Sequence, residues 1–99
     1  MFQAEWKHPL VIDFPRILCE KNDYIRSCFH VQESDCRSIV KSQVELCVKE
    51  VQVPKTFANE RQEVYWAEKV GRCVGNHFET DQARVKKKDW QCRDIKKWL

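Results

Sequence analysis

The chain has 99 residues, 42% of them hydrophobic and 33% charged, with a net charge of +3. That is globular composition with room for one domain and a modest core, which excludes a second domain. No stretch approaches the roughly 18 to 20 apolar residues of a membrane span, and with two glycines and three prolines a loop-rich knot of tight turns is excluded in favour of helices.

Residues 1–14, MFQAEWKHPLVIDF, carry Glu5 and Asp13 and lack a basic segment followed by an apolar one. Neither a secretory leader nor an Arg-rich transit peptide is therefore read there. An extended N-terminal arm is expected instead. Pro9 and Pro15 bias the residues before them away from helix, and the short apolar run Leu10-Val11-Ile12 cannot stand alone. Pro15 suits the first turn of a helix with Asp13 near its start. Leu18, Ile25 and Phe29 then recur at helical spacing, which predicts a helix over 15–29, weakened at Asn22-Asp23. The polar run HVQESD has the length that joins antiparallel helices, and Ser34 or Asp35 can cap the next one.

From Cys36 the pattern is a single helical stripe: Cys36, Ile39, Val40, Gln43, Val44, Cys47, Val48 and Val51 recur by threes and fours. Val53-Pro54 is the expected end. Asn59 followed by Gln62 reads as a capping box for a third helix. Along it Val64, Ala67, Gly71, Val74 and Phe78 form a narrow seam flanked by Trp66, Val70 and Cys73. Gly75-Asn76 is the predicted stop, followed by a charged helix over 80–98. The expected fold is all-α: an extended arm (1–14), a disulfide-linked antiparallel hairpin (15–53) and a helical extension with a basic tail (54–99).

Six cysteines are many for a cytosolic chain of this size unless they bind metal or do chemistry. Zinc sites usually use close pairs such as C-x2-C or C-x4-C, and none occurs; Cys28 and His30 read as accidental neighbours. A C-x-x-C redox pair and a catalytic cysteine signature are likewise missing. No metal, no cofactor and no enzymatic activity are expected. Disulfides remain. Antiparallel helices meeting near residues 31–34 would set Cys28 opposite Cys36 and Cys19 opposite Cys47, and each bond would contribute roughly 2 to 4 kcal/mol. A turn near residue 79 would bring Cys73 level with about residue 86 rather than with Cys92. Those two are left open between a third disulfide, which needs a second bend at Asp89-Trp90, and two buried or free thiols.

The stretch from Cys19 to Cys47 resembles the coiled-coil-helix-coiled-coil-helix proteins, whose hallmark is a twin C-x9-C hairpin with nested disulfides. Here the arms are C-x8-C (Cys19, Cys28) and C-x10-C (Cys36, Cys47). Nine residues on an ideal helix turn through about 900°, so Cys19 and Cys28 fall on opposite faces unless the helix breaks at Asn22-Asp23 or frays near Cys28. The resemblance implies import into the mitochondrial intermembrane space, oxidation there and a scaffold or assembly role in a respiratory complex. Within the resembled family, copper delivery implies adjacent cysteines as soft ligands and the relay oxidase implies a Cys-Pro-Cys redox pair, and neither motif occurs here.

Four tryptophans exceed what such a hairpin can bury. Trp6 on the arm and Trp90 and Trp98 on the tail are expected to anchor neighbouring subunits. Residues 84–97 hold seven basic and two acidic side chains. Lys86, Lys87 and Lys88 are thus candidate contacts for partners or for anionic lipid headgroups, with the tryptophans interleaved as in an interfacial helix. Nucleic acid is disfavoured by a pI of only 8.6 and the lack of a recognised fold. The function expected is a non-catalytic accessory subunit or assembly factor of a respiratory complex, peripheral to the inner membrane on the intermembrane-space side. The alternatives are a secreted or cytosolic helical binding or adaptor module, or a mitochondrial ribosome accessory protein.

Overall fold

A computed structural model describes residues 2–93, apart from the side chain of Asp23. The helices are α1 (Gln3–Arg16), α2 (Asp23–Cys28), α3 (Glu33–Glu50), α4 (Glu60–Asp81) and α5 (Trp90–Arg93). The all-α expectation holds among these residues: their β pairing consists of two isolated bridges, Phe2 with Thr56 and Phe29 with Lys86. Helix α3 lies between α1 and α4 and packs on both.

The expected arm is a helix. Trp6, Leu10, Phe14 and Leu18 recur every fourth residue and all pack on the core, so one face of α1 is apolar along its whole length. Two internal prolines, Pro9 and Pro15, cost about 3 kcal/mol each. Burial of Trp6 and partial burial of Leu10, Phe14 and Leu18, at up to about 1.5 to 3 kcal/mol each, offset that cost. The start of α1 is tied to the α3–α4 loop and to the first turn of α4: the Gln3 N–H donates to the Lys55 carbonyl at 2.8 Å, and the indole N–H of Trp6 donates to the Glu63 carbonyl at 3.1 Å. Trp6 also lies against Phe57, with ring centroids 5.0 Å apart.

After Pro15 the helix widens into a π turn, Ile17–Lys21, and stops at Asn22. The Asn22 side chain accepts from the Ile25 N–H at 2.9 Å and starts α2. The break expected at Asn22-Asp23 is found there, and it puts Cys19 and Cys28 on different segments. Helix α3 buries Cys36, Val40, Gln43, Val44, Cys47 and Val48, the stripe read from the sequence. Its start is Gln32 without a side-chain cap, one turn earlier than a Ser34 or Asp35 cap would set it. Its end is a Schellman motif: Gln52 takes φ 59°, the Gln52 N–H donates to Lys49 and the Val53 N–H donates to Val48, each at 3.2 Å. Val48 and Val53, both buried, supply the apolar contact this motif carries.

Helix α4 opens as predicted, with the Asn59 side chain accepting from the Gln62 N–H at 3.0 Å and the Gln62 side chain accepting from the Ala58 N–H at 2.9 Å. It runs through Gly75-Asn76 to Asp81, because the buried face is Val70, Val74 and Phe78. Two of those three lie on or beyond the expected stop's turn, and stopping there would expose Phe78. The predicted seam was out of phase at its start, since Val64 is exposed. Of the helix expected over 80–98, the described part beyond α4 is instead a 3-10 turn (Ala83–Val85), an extended run and the single turn α5, and residues 94–98 lie outside the described residues. The run is held by main-chain bonds: the His30 N–H donates to Val85 at 2.8 Å and the Lys87 N–H to Cys28 at 2.7 Å.

All six cysteines form disulfides, but not in the expected pairs. The bonds are Cys19–Cys36, Cys28–Cys92 and Cys47–Cys73, with Cα separations of 5.7, 5.6 and 5.9 Å. Neither Cys19–Cys47 nor Cys28–Cys36 exists, and Cys73 and Cys92 each bond to a hairpin cysteine rather than to each other. The cause is the break at Asn22. Helix α3 packs along α1 and its π turn, so its first turn brings Cys36 level with Cys19. Helix α2 turns away and presents Cys28 to the returning C-terminal segment. Further along α3, Cys47 faces α4 and meets Cys73.

The buried set holds one isoleucine and no leucine; valines, aromatics and every cysteine except Cys73 make up most of it. A core this short of large aliphatics leaves much of the stability to the cross-links. Sequence separations of 17, 26 and 64 correspond to about 3, 3.5 and 4 kcal/mol of loop-closure entropy. Pairwise Cys→Ser variants are therefore expected to lose stability in the order Cys28/Cys92, Cys47/Cys73, Cys19/Cys36, as read from denaturant midpoints.

Candidate functional site

The residues expected to face partners divide sharply. Trp6, the supposed anchor on a free arm, is only 5% exposed: its ring is part of the core, because the arm is a helix. Trp98 lies outside the described residues. Trp90 is 64% exposed at the start of α5, and Lys88 beside it is exposed while Lys87 is half-buried. These three sit on the extended run and α5, where the Cys28–Cys92 bond and the two main-chain bonds to residues 28 and 30 hold the backbone.

Lys86 has turned inward. Its ammonium pairs with Glu79 and lies 5.4 Å from the ring centroid of Tyr24 and 5.8 Å from that of Phe29. The Tyr24 hydroxyl donates to the same carboxylate, 2.8 and 2.7 Å from its two oxygens. Tyr24 packs edge-on against Phe29, and Phe29 against Phe78, at centroid distances of 5.6 and 5.1 Å. Lys86 is thus a latch between the run and the end of α4, while Lys87 is half-buried and Lys88 and Trp90 are exposed.

The latch shifts two ionisations. Burial raises the Tyr24 phenol above its ordinary 10.0; Glu79 adds to this and Lys86 opposes it. Burial alone would lower Lys86, but hydrogen bonds to Glu79 and Tyr24 and their charges outweigh it, so Lys86 rises above 10.5. Both folded values lie above the unfolded ones, so the protonated forms favour the fold. That contribution is complete below the ordinary values and vanishes as pH rises through the folded ones.

A second cluster lies where α3 meets α4. One ligand atom each from Cys47, Glu50, Cys73 and His77 falls within 4.8 Å of the others. His77 Nε2 is 2.6 Å from Glu50 Oε2, and Cys73 Sγ is 3.7 Å from the same oxygen. The spacing Cys73-x3-His77 is a helical i, i+4 pair, and it is this pair, not the closer Cys28-x-His30, that belongs to the cluster. With the two sulfurs bonded to each other, neither is a thiolate and Cys73 has no S–H to donate. No helix among the described residues is long and apolar enough to cross a membrane.

Comparison with known proteins adds one finding. A family model described as NttA, T2SS substrate NttA, matches residues 1–86. No curated protein and no solved structure matches the chain. A match to a type II secretion substrate over that length overturns the coiled-coil-helix-coiled-coil-helix resemblance, and with it the mitochondrial intermembrane space, the respiratory complex and the accessory-subunit role. The physical counterpart is the connectivity: nested rungs within one hairpin define that family, whereas only one bond here, Cys19–Cys36, joins the two arms.

Titration of the latch is directly measurable. Unfolding free energy is expected to fall as pH is raised beyond the ordinary tyrosine and lysine values, and to fall less steeply in Glu79→Gln; equal slopes in denaturant titrations of the two proteins would contradict the assignment.

Proposed function

The chain belongs to the NttA family of type II secretion substrates, and on that premise we propose that it is a secreted, non-catalytic binding module that presents a rigid basic loop to an anionic partner. A substrate of this kind leaves a bacterial cell by way of the periplasm, an oxidising compartment in which three disulfides can form and persist. The secreted helical module, rather than the respiratory subunit, is the reading that membership favours.

The observation that carries the contact site is the way the run after α4 is held. A disulfide and two main-chain hydrogen bonds pin it at Cys28 and His30, and the Lys86 latch fixes its first side chain. Lys87, Lys88 and Trp90 then project from a backbone with little freedom left to lose, so binding costs less ordering entropy than it would from a flexible tail. Trp90 supplies apolar area at the edge of a positive patch, which suits a surface of phosphate or carboxylate groups over an apolar layer. Anionic lipid headgroups have that chemistry.

Two measurements test the two halves of this reading. In a bacterium carrying the gene, loss of the type II secretion machinery is expected to move the protein from the medium to the periplasm; unchanged export would sink the secretory half. For the binding half, vesicles with and without anionic lipid are compared. At about 1 kcal/mol per lysine near a charged surface, Lys87→Ala with Lys88→Ala is expected to weaken association about thirtyfold at low salt. Trp90→Ala should weaken it further, and equal binding to uncharged vesicles would remove the electrostatic basis.

A further inference from the structure

The α3–α4 cluster carries an inference independent of the secretory reading. We propose that reduction of the Cys47–Cys73 disulfide converts this cluster into a four-ligand zinc site, made of the Cys47 and Cys73 thiolates, His77 Nε2 and the Glu50 carboxylate.

The helices already present the ligands in two facing pairs. Cys47 and Glu50 are spaced i, i+3 on α3, and Cys73 and His77 are spaced i, i+4 on α4, so each pair lies on one face. Their ligand atoms lie within 4.8 Å of one another, and Glu50 Oε2 already touches both His77 Nε2, at 2.6 Å, and Cys73 Sγ, at 3.7 Å. A tetrahedral zinc ion takes sulfur at about 2.3 Å and nitrogen or oxygen at about 2.0 to 2.2 Å, which spaces two sulfurs about 3.8 Å apart. Breaking the S–S bond releases the sulfurs toward that separation. At those bond lengths a sulfur sits about 3.6 Å from a nitrogen or oxygen ligand atom, and the nitrogen and oxygen about 3.4 Å apart; pairs now up to 4.8 Å apart therefore close by about 1.2 Å at most, and the 2.6 Å contact between His77 and Glu50 opens, both within reach of side-chain rotation.

Accessibility favours this bond as the one that opens. Thiol–disulfide exchange requires a thiolate to reach a sulfur. Cys73 is the half-buried cysteine, whereas Cys19, Cys28, Cys36, Cys47 and Cys92 are 5% exposed or less. The other two disulfides join α1 to α3 and α2 to α5, and neither crosses the α3–α4 contact. Val44, Val70 and Val74, all fully buried, keep those two helices together while the bond is open.

The chemistry balances with a dithiol as reductant. It delivers two electrons and two protons to the Cys47–Cys73 bond and becomes a disulfide, and two thiols form. A zinc ion then displaces both thiol protons into solvent and makes two Zn–S bonds. Lone pairs of a neutral His77 ring and of the Glu50 carboxylate complete the shell. The consequence is a staple that survives a change of redox environment: a covalent S–S bond in an oxidising setting, and a metal bridge between the same two helices in a reducing one.

The test uses the full chain, Co2+ as a spectroscopic probe and Zn2+ as its competitor. A limiting amount of a water-soluble phosphine, which does not itself hold zinc, serves as reductant. Reduced protein is expected to bind one Co2+ with thiolate-to-metal charge-transfer absorption, lost on adding Zn2+, while oxidised protein shows none. Peptide mapping after alkylation should find that Zn2+ protects Cys47 and Cys73 and no other thiol. His77→Gln leaves every cysteine in place, so its oxidised form reports folding by circular dichroism; it should bind at least about tenfold more weakly once reduced, because even loss of a supporting residue costs that much. Metal binding by oxidised protein, protection of a different cysteine pair, or unchanged affinity in His77→Gln would each overturn the proposal.

Discussion

The structure depends on cross-linking a core that is too small to organise the chain by itself. Valines, aromatics and cysteines fill it, with Ile25 the one buried isoleucine and no leucine buried among the described residues. Each disulfide replaces packing that longer side chains would otherwise supply, and each joins elements from different parts of the chain. Cys19–Cys36 sets α1 and its π turn on α3, Cys47–Cys73 sets α3 on α4, and Cys28–Cys92 returns the C-terminal segment to α2. The last of these closes the longest loop, so it removes the most freedom from the unfolded chain.

The same bond decides what the basic segment is. Left to composition, residues 84–97 read as a solvated charged helix. Pinned at Cys92 and paired through the backbone with residues 28 and 30, their described part is instead a strap across one end of the bundle. Its first lysine is drawn in by Glu79 and two aromatic rings, the second is half-buried and the third is exposed. A small change of backbone path therefore separates a latch from a candidate contact surface, although the three lysines are adjacent in sequence.

Local rules accounted for much of the secondary structure. The stripe of α3, the Asn59 cap of α4 and the break at Asn22 all follow from side chains interacting with their own helix or with backbone groups three or four residues away. Where local rules failed, a distant partner outweighed them. Pro9 and Pro15 argued for an extended arm, yet the four-residue spacing of Trp6, Leu10, Phe14 and Leu18 buries enough apolar surface to hold a helix through both. Gly75-Asn76 argued for a stop, and Phe78 in the core carried α4 past it. Cys73 and His77 were within one helical turn, but nothing in their spacing disclosed that Cys47 and Glu50 would face them across α3.

The sequence by itself determined the helical class, the buried stripe of the central helix and the expectation of disulfides, because periodicity and cysteine content act through composition and near neighbours. Tertiary structure alone decided which cysteines bond, since six thiols can pair in fifteen ways and the choice rests on where the chain turns between them. Once Asn22 ended the first helix and α3 settled between α1 and α4, the sulfurs that came within bonding distance were no longer those that a simple hairpin brings together. The cellular address implied by the hairpin resemblance was overturned separately, by the family match over residues 1–86.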